Sequence, residues 1–301
     1  MNIDIPVNLP KTAIIGASGF LGSAFLSSYR QIYPDTTGTA RDHSGENVLY
    51  LDLLDPDITQ MRLSETGHKE ALILSAISKI DKCETEKELS REINVQGTLE
   101  LARQLVNEGI KPVFFSSDYV FDGITGNYTD DSQTNPITEY GRQKAEVESK
   151  FEHITKGNYL VVRLSKVFSL KKGDGSLLDE IAGTLASGGI VRAAFDQIFC
   201  PTLISDVIGA VACLQAKGTT GIVNVCSPEA WSRYDIAVAL AEKMGIGPGR
   251  INRISLDEVG FKSKRPKNTS MVPKRLLSEA GTTFTSLTEC IEQTAISWSV
   301  T

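Results

Sequence analysis

The chain has 301 residues, 41% of them hydrophobic and 23% charged, with a formal net charge of −6, which suits one large α/β domain or two modest ones. Its one basic concentration, Lys262 to Lys274, is short and mixed with polar residues, so nucleic acid is excluded as a partner and only a local anion site stays open there. No apolar run reaches the roughly 18 residues of a membrane span, and MNIDIPVNLP lacks the basic and apolar regions of a signal peptide, so a soluble cytoplasmic protein is expected.

Thr12 to Ile15 (TAII) is the first predicted strand, and it stops abruptly at GASGFLG. From Phe20 to Tyr33 apolar residues recur at Leu21, Phe25, Tyr29 and Ile32, a helical stripe closed by Pro34. Thr36 to Arg41 and Asn47 to Leu51 read as the next strands, and Ala71 to Ala76 as a fourth, apolar until Ser75. Glu84 to Asn107 is long, polar and periodic, which predicts one helix. Pro112 to Ser116 is a fifth strand, Tyr140 to Ile154 a helix, and Tyr159 to Leu164 a sixth strand. Apolar strands alternating with helices predict a doubly wound parallel sheet covered on both faces.

After Leu164 glycine-rich loops (KKGDGS, ASGGI, KGTTG, GIGPG) separate shorter elements. A first domain is expected over residues 1–165 and a smaller second one over residues 166–301. The two are interleaved, since GIVNVC at 221–226 reads as a strand returning to the first sheet. The five cysteines (Cys83, Cys200, Cys213, Cys226, Cys290) are scattered without a CxxC pair, as expected of reduced thiols. His43, His68 and His153 show no metal-ligand spacing, and no metal site is expected.

Gly16, Gly19 and Gly22 stand directly after the first strand and open the first helix. The turn needs Gly16, a pyrophosphate needs bare backbone near Gly19, and Gly22 lets the helix pack closely on the sheet. With Ser18, Phe20 and Leu21 these residues form the start of a helix whose free N–H groups favour phosphate, the pattern of a Rossmann-type dinucleotide site. At the end of the second strand Arg41 would accommodate a 2′-phosphate, which favours NADP(H), whereas the adjacent Asp42 keeps NAD(H) open. Asp52, after the third strand, is a candidate for the adenine amine or for a helix N-cap.

The fifth strand runs into SSDYVFDG, so the hydroxyls of Ser116 and Ser117 emerge at the carboxyl edge of the sheet, where ligands of parallel sheets sit. Tyr140 and Lys144 are one helical turn apart and can point at one place. A carbonyl that accepts hydride needs a proton from a positioned acid. Lowering a phenol by about 3 pKa units takes roughly 4 kcal/mol, which a nearby ammonium and an oxidised nicotinamide are expected to supply.

The glycine turn and the Tyr140-x-x-x-Lys144 pair resemble those of the extended short-chain dehydrogenase/reductases. More narrowly, SSDYVFDG, AISKIDKCETEKELSREIN (76–94), NPITEYGRQK, DQIFCPT (196–202) and RPKNTSM (265–271) resemble motifs of dTDP-4-dehydrorhamnose reductases. The resemblance runs from about residue 12 to residue 275. It implies that Ser117 is the catalytic hydroxyl, Tyr140 the proton donor and Lys144 the group that binds the nicotinamide ribose and tunes Tyr140. It places Ser75 and Ala76 along the cofactor, Asp118 and Lys166 at the substrate, and Arg265 and Asn268 near the nucleotide diphosphate.

Two departures stand out: Lys166, in RLSKVF, occupies a position where those reductases usually carry Trp, and MVPKRL follows RPKNTS where they tend to show Leu-Asp-Thr/Ser. The implied function is NADPH-dependent reduction of the 4-keto group of a nucleotide-linked deoxysugar, supplying surface polysaccharide, in a protein free to form a homodimer. An epimerase or dehydratase of the same fold is the alternative, with Asp118 as its extra acid. So is a non-catalytic subunit, since the family includes one that associates with methionine adenosyltransferase.

Overall fold

The computed structural model of the chain describes Ile3, residues 5–42 and residues 48–299. β1 (Thr12–Ile15) is buried at every position, as a strand covered on both faces must be, and a tight turn leads into α1 (Phe20–Tyr29). β2 (Gly38–Ala40), β3 (Val48–Tyr50) and β4 (Glu70–Ile73) follow, then α2 (Ile80–Thr85), α3 (Lys87–Arg91) and α4 (Thr98–Asn107). β5 (Lys111–Ser117), α5 (Glu139–Thr155) and β6 (Leu160–Leu164) complete the first half. The second half contains β7 (Val167–Phe168), α6 (Leu177–Ala186), β8 (Val191–Ala194), β9 (Ile198–Phe199), β10 (Thr202–Leu203) and α7 (Ile204–Ala216). It continues with β11 (Gly221–Val225), β12 (Trp231–Ser232), α8 (Arg233–Lys243), β13 (Ile251–Ile254), α9 (Lys274–Ala280) and α10 (Leu287–Ser299).

Seven strands form one parallel sheet in the order β11-β6-β5-β4-β1-β2-β3, the doubly wound α/β arrangement predicted from the alternation of elements. The strand order reverses between β1 and β4, which opens a crevice at their carboxyl ends. β11 pairs along the full length of β6, from Gly221 opposite Leu160 to Val225 opposite Leu164.

One face of the sheet is closed by Phe25 and Tyr29 of α1 and Val207 and Val211 of α7, the other by Leu101 and Leu105 of α4 and Val147 and Phe151 of α5. A separate core of Leu178, Ile181, Ile236, Leu240 and Ile291 unites α6, α8 and α10. A small cluster joins the parts, with Phe121 stacked on Tyr128 at 4.2 Å beside Cys200, Cys226 and Met271. No helix among the described residues is long and apolar enough to cross a membrane.

Several elements differ from their predicted bounds. The single helix expected over Glu84–Asn107 is α2, α3, a π-helical turn at Glu92–Gly97 and α4. The chain leaves helical geometry at Glu86 (φ −122°, ψ 57°), and the wide turn carries Asn94, whose side chain bonds both backbone groups of Ile77 and donates to the side-chain Oε1 of Gln143. Polar periodicity does not register such an interruption. α1 stops at Tyr29 rather than Tyr33, because the amides of Gln31 and Ile32 turn back to Ser28 and Tyr29. Thr36 and Arg41 lie outside β2; the Thr36 amide and hydroxyl both donate to the Tyr33 carbonyl in a turn. β4 ends at Ile73, so Ser75 and Ala76 leave the sheet. Asn47 and His43 fall outside the described residues.

One buried ion pair locks α5 to β6. Arg163 Nη2 donates to Glu148 Oε2 at 2.7 Å and Nη1 to the Asp130 carbonyl at 3.1 Å, with both charged side chains almost fully enclosed. Replacing one partner strands the other charge in a water-poor interior. Glu148→Ala is therefore expected to lower the free energy of unfolding by about 3–5 kcal/mol, read from the urea midpoint.

Candidate active site

The crevice at the switch point holds two adjoining cavities that share Gly16 and Ala76. The outer one, ≈ 410 Å³, is lined by Ser18, Arg41, Asp52, Ser75 and Ala76. Gly16 has φ +93° and packs so closely on Ser75 that a Cβ would stand 2.8 Å from the Ser75 amide nitrogen. At Gly22 a Cβ would meet the Gly16 carbonyl oxygen at 2.0 Å, so only glycine brings α1 this close to the turn. Gly19 is the N-cap of α1 and offers no side-chain cap, leaving the first amides of the helix open to a ligand.

Arg41 and Asp42 are exposed and paired, Nε to Oδ1 at 3.2 Å and Nη2 to Oδ2 at 3.2 Å. An exposed pair of this kind holds weakly, and a phosphate can displace its carboxylate. Asp52 Oδ1 accepts the Leu54 amide at 3.0 Å, a local turn that orients the carboxylate at the cavity wall.

The inner cavity, ≈ 470 Å³, brings together Gly19, Phe20, Leu21 and Gly22 with Ser117, Tyr140 and Lys144. Glycine at 141 fixes the tyrosine, because a Cβ there would lie 2.1 Å from the Tyr119 carbonyl oxygen. The Thr138 hydroxyl caps the Gly141 amide at 3.1 Å, and Glu84 Oε1 accepts the Glu139 amide at 2.7 Å. With its N-terminus thus pinned, α5 turns Tyr140 and Lys144 into the same space, as the i, i+4 spacing predicts. Lys144 Nζ donates to the Phe115 carbonyl at 2.7 Å, and burial brings its pKa down to about 8.

Burial, and then the Asp118 charge, push the Tyr140 phenol well above its ordinary range, opposed by a hydrogen bond with Ser117. The lowering expected from the sequence needs an oxidised nicotinamide beside Lys144, and the protein's own groups alone shift the phenol upward. Lys144 donates its hydrogen bond to the Phe115 carbonyl and lies over the Phe114 ring, 4.5 Å from its centroid, and 5.7 Å from that of Tyr140. The protein by itself therefore keeps the proton on Tyr140 at neutral pH.

Asp118 is the hub of this cluster. Ser117 Oγ donates to its Oδ1 at 2.9 Å, while Ser165 Oγ and Thr269 Oγ1 donate to its Oδ2 at 3.2 Å and 2.6 Å. Burial still raises its pKa to about 6, with the three hydroxyls holding it down. Ser116, beside Ser117, has a buried hydroxyl with no partner among the described residues and lines the same cavity.

Lys166 also lines the inner cavity, but Arg265 and Asn268 do not. The Arg265 guanidinium forms an ion pair with Asp81 of α2 and lies over the Phe261 ring. Asn268 Oδ1 accepts from the Ser270 hydroxyl at 2.8 Å, which makes it a brace within its own loop.

The sequence matches the RmlD substrate binding domain family over residues 11–297. The chain belongs to this family. It is similar to the dTDP-4-dehydrorhamnose reductase of Mycolicibacterium smegmatis, 28% identical over 93% of this chain and 83% of that protein. It is also similar to methionine adenosyltransferase 2 subunit beta of Xenopus tropicalis, 26% identical over 89% of this chain and 82% of that protein. Among solved structures it resembles a hypothetical dTDP-4-dehydrorhamnose reductase from Sulfolobus tokodaii, with a TM-score of 0.79, 28% identity and coverage of 92% of this chain and 98% of that one. The dTDP-4-dehydrorhamnose reductase of Bacillus anthracis in complex with NADP shares the fold, with a TM-score of 0.78, 22% identity and coverage of 96% and 99%.

Within this member of the RmlD substrate binding domain family, sequence reasoning missed Ser165, Thr269 and Arg233. Ser165 directly follows β6 and was open to the same edge-of-sheet argument as Ser117. Thr269 reaches Asp118 from 151 residues away, and no local pattern signals that contact.

Because Asp118 titrates near 6 when folded, against an ordinary value of 3.8, the folded protein holds a proton at intermediate pH that the unfolded chain has released. Its contribution to stability therefore falls as pH rises from about 4 to about 6 and is flat above. Asp118→Asn removes that slope. Between pH 4 and pH 7 the stability difference is expected to move in favour of the variant by on the order of 2 kcal/mol, measured by urea unfolding of both proteins.

Proposed function

We propose that the chain reduces the 4-keto group of a nucleotide-linked deoxysugar of the dTDP-4-dehydrorhamnose class, with NADPH as the preferred reductant. The observation that carries this reading is the meeting of Ser117, Tyr140 and Lys144 in one cavity that continues into the glycine turn. Family membership and the similarity to dTDP-4-dehydrorhamnose reductases support it.

In this reading residues 1–165 hold the cofactor and residues 166–301 mainly the substrate. Gly16, Ser18, Gly19 and Gly22 with the α1 N-terminus receive the pyrophosphate, and Phe20 and Leu21 flank it. Arg41 releases Asp42 to take a 2′-phosphate, Asp52 faces the adenine, and Ser75 and Ala76 border the path between. When bound, the nicotinamide supplies the hydride. Tyr140 holds the proton destined for the carbonyl oxygen, and its raised pKa keeps that proton available at neutral pH. Ser117 turns its single proton from Asp118 toward the same oxygen, and the Lys144 ammonium favours the phenolate left after transfer.

A second reading, a regulatory subunit without turnover, is favoured by the similarity to methionine adenosyltransferase 2 subunit beta. Loss of nicotinamide absorbance on mixing the protein with NADPH and dTDP-4-keto-6-deoxy-L-sugar separates the two. Turnover that drops roughly 10²–10⁴-fold in Tyr140→Phe is the expected result. Cofactor binding with no turnover on any keto-sugar would overturn the reductase reading and leave the subunit. Arg41→Ala is expected to raise KM for NADPH about tenfold while KM for NADH stays unchanged, as the loss of one charge-assisted phosphate contact requires.

A further inference from the structure

A nucleotide-linked sugar brings negative charge, and a cavity that receives it in a poorly hydrated space has to offer cations. Arg265, the arginine expected for this task, is held by Asp81 and does not face the cavity. Lys166 and Arg233 do. Lys166 stands between β6 and β7, and its carbonyl accepts the Thr202 amide at 2.9 Å. Arg233 opens α8, and its amide donates to the Gln197 carbonyl at 3.0 Å, which fixes the start of the helix on the cavity wall.

Neither cation is neutralised inside the cavity. The Lys166 ammonium has no hydrogen bond or salt bridge among the described residues. Arg233 uses Nη2 for Glu180 Oε1 at 2.8 Å, a carboxylate 58% exposed, and its Nε and Nη1 have no protein partner among the described residues. Asp118 is the one carboxylate among the described residues that line the cavity, against the cations Lys144, Lys166 and Arg233. Both of its oxygens are already engaged by Ser117, Ser165 and Thr269. The wall therefore carries surplus positive charge. Recession from bulk water, and then the field of Arg233, lower the Lys166 pKa against the opposing fields of Glu180 and Asp118, so the two cations sense each other.

We propose that Lys166 and Arg233 form an anion seat at the substrate end of the cavity and bind an anionic group of the nucleotide-sugar. The proposal rests on reading this cavity as a nucleotide-sugar site. Two sources supply such a group, the diphosphate linking nucleoside to sugar or a carboxylate on the sugar ring. A neutral deoxysugar needs only the first, whereas the second makes the substrate an acidic sugar.

Calorimetric titration of the full chain, saturated with NADP⁺, tests the seat with dTDP, dTDP-glucose and dTDP-glucuronate as probes. Lys166→Met and Arg233→Met are compared with the wild type and with the charge-keeping Lys166→Arg. A diphosphate source predicts that each Met variant loses about tenfold in affinity for all three probes, while Lys166→Arg stays within about threefold. A carboxylate source predicts that the wild type prefers dTDP-glucuronate to dTDP-glucose by about tenfold. Both Met variants would then lose that preference and keep their affinity for dTDP. Unchanged affinities in both variants, or a wild type that binds none of the probes, overturn the seat. Lys166 is exposed to the cavity, so Lys166→Met decides the matter alone if Arg233→Met does not fold. Because the readout is binding, loss of affinity without turnover on any keto-sugar sinks the reductase reading and leaves the seat. Turnover with unaltered binding in the variants does the reverse.

Discussion

The Asp118 carboxylate is the constraint on which the site is built. It gathers hydroxyls from the end of β5 (Ser117), from the residue after β6 (Ser165) and from the loop before α9 (Thr269). A buried charge without partners would cost several kcal/mol, so these three groups have to converge for the chain to fold with Asp118 ionised. Their convergence ties the sheet edge to the C-terminal segment and sets the rotation of the Ser117 hydroxyl. The partial failure of the three bonds to offset burial is visible in the pKa of about 6.

The same burial acts on the neighbouring groups in the direction the proposed reduction needs. Tyr140 is driven toward its neutral form, which suits an acid that must arrive protonated. Lys144 is driven toward about 8 but stays mainly charged at neutral pH, fixed by the Phe115 carbonyl. The low polarity of the space strengthens each interaction and makes it sensitive to small displacements. This explains why α5 is pinned so firmly at its start, by the Thr138 cap, the Glu84 carboxylate and the close approach of Gly141 to the 119 carbonyl.

The cavity is also asymmetric in charge. The end at the glycine turn is built of glycine backbone and a helix terminus, which attract phosphate through partial charges. Its other end relies on full charges at Lys166 and Arg233, the first of them standing where relatives of the resembled type usually carry an aromatic ring. An ammonium contributes attraction for an anion and little packing for a sugar face, so the proposed seat would select by charge more than by shape.

Much of this protein was legible in the sequence because it rests on short-range rules. Apolar runs of strand length gave the parallel sheet, since a strand buried on both faces must be apolar throughout. The glycine turn and the Tyr140 and Lys144 pair were legible because each is a local pattern whose spacing sets its geometry. The break of the long helix at Glu86 and the turn at Asn94 were not, because they depend on what Asn94 reaches across the fold. Nor was the upward push that the protein's own groups give Tyr140, which reflects burial and the placement of Asp118. The positions of Arg265 and Thr269 show the same limit: residues close together in one loop, one turned to Asp81 and the other to Asp118. The sequence by itself determined which elements form and which chemical groups lie near the carboxyl ends of the strands. Only the tertiary structure decided which of those groups share a cavity and how strongly each is charged there, because desolvation and long-range pairing depend on neighbours that the local sequence does not contain.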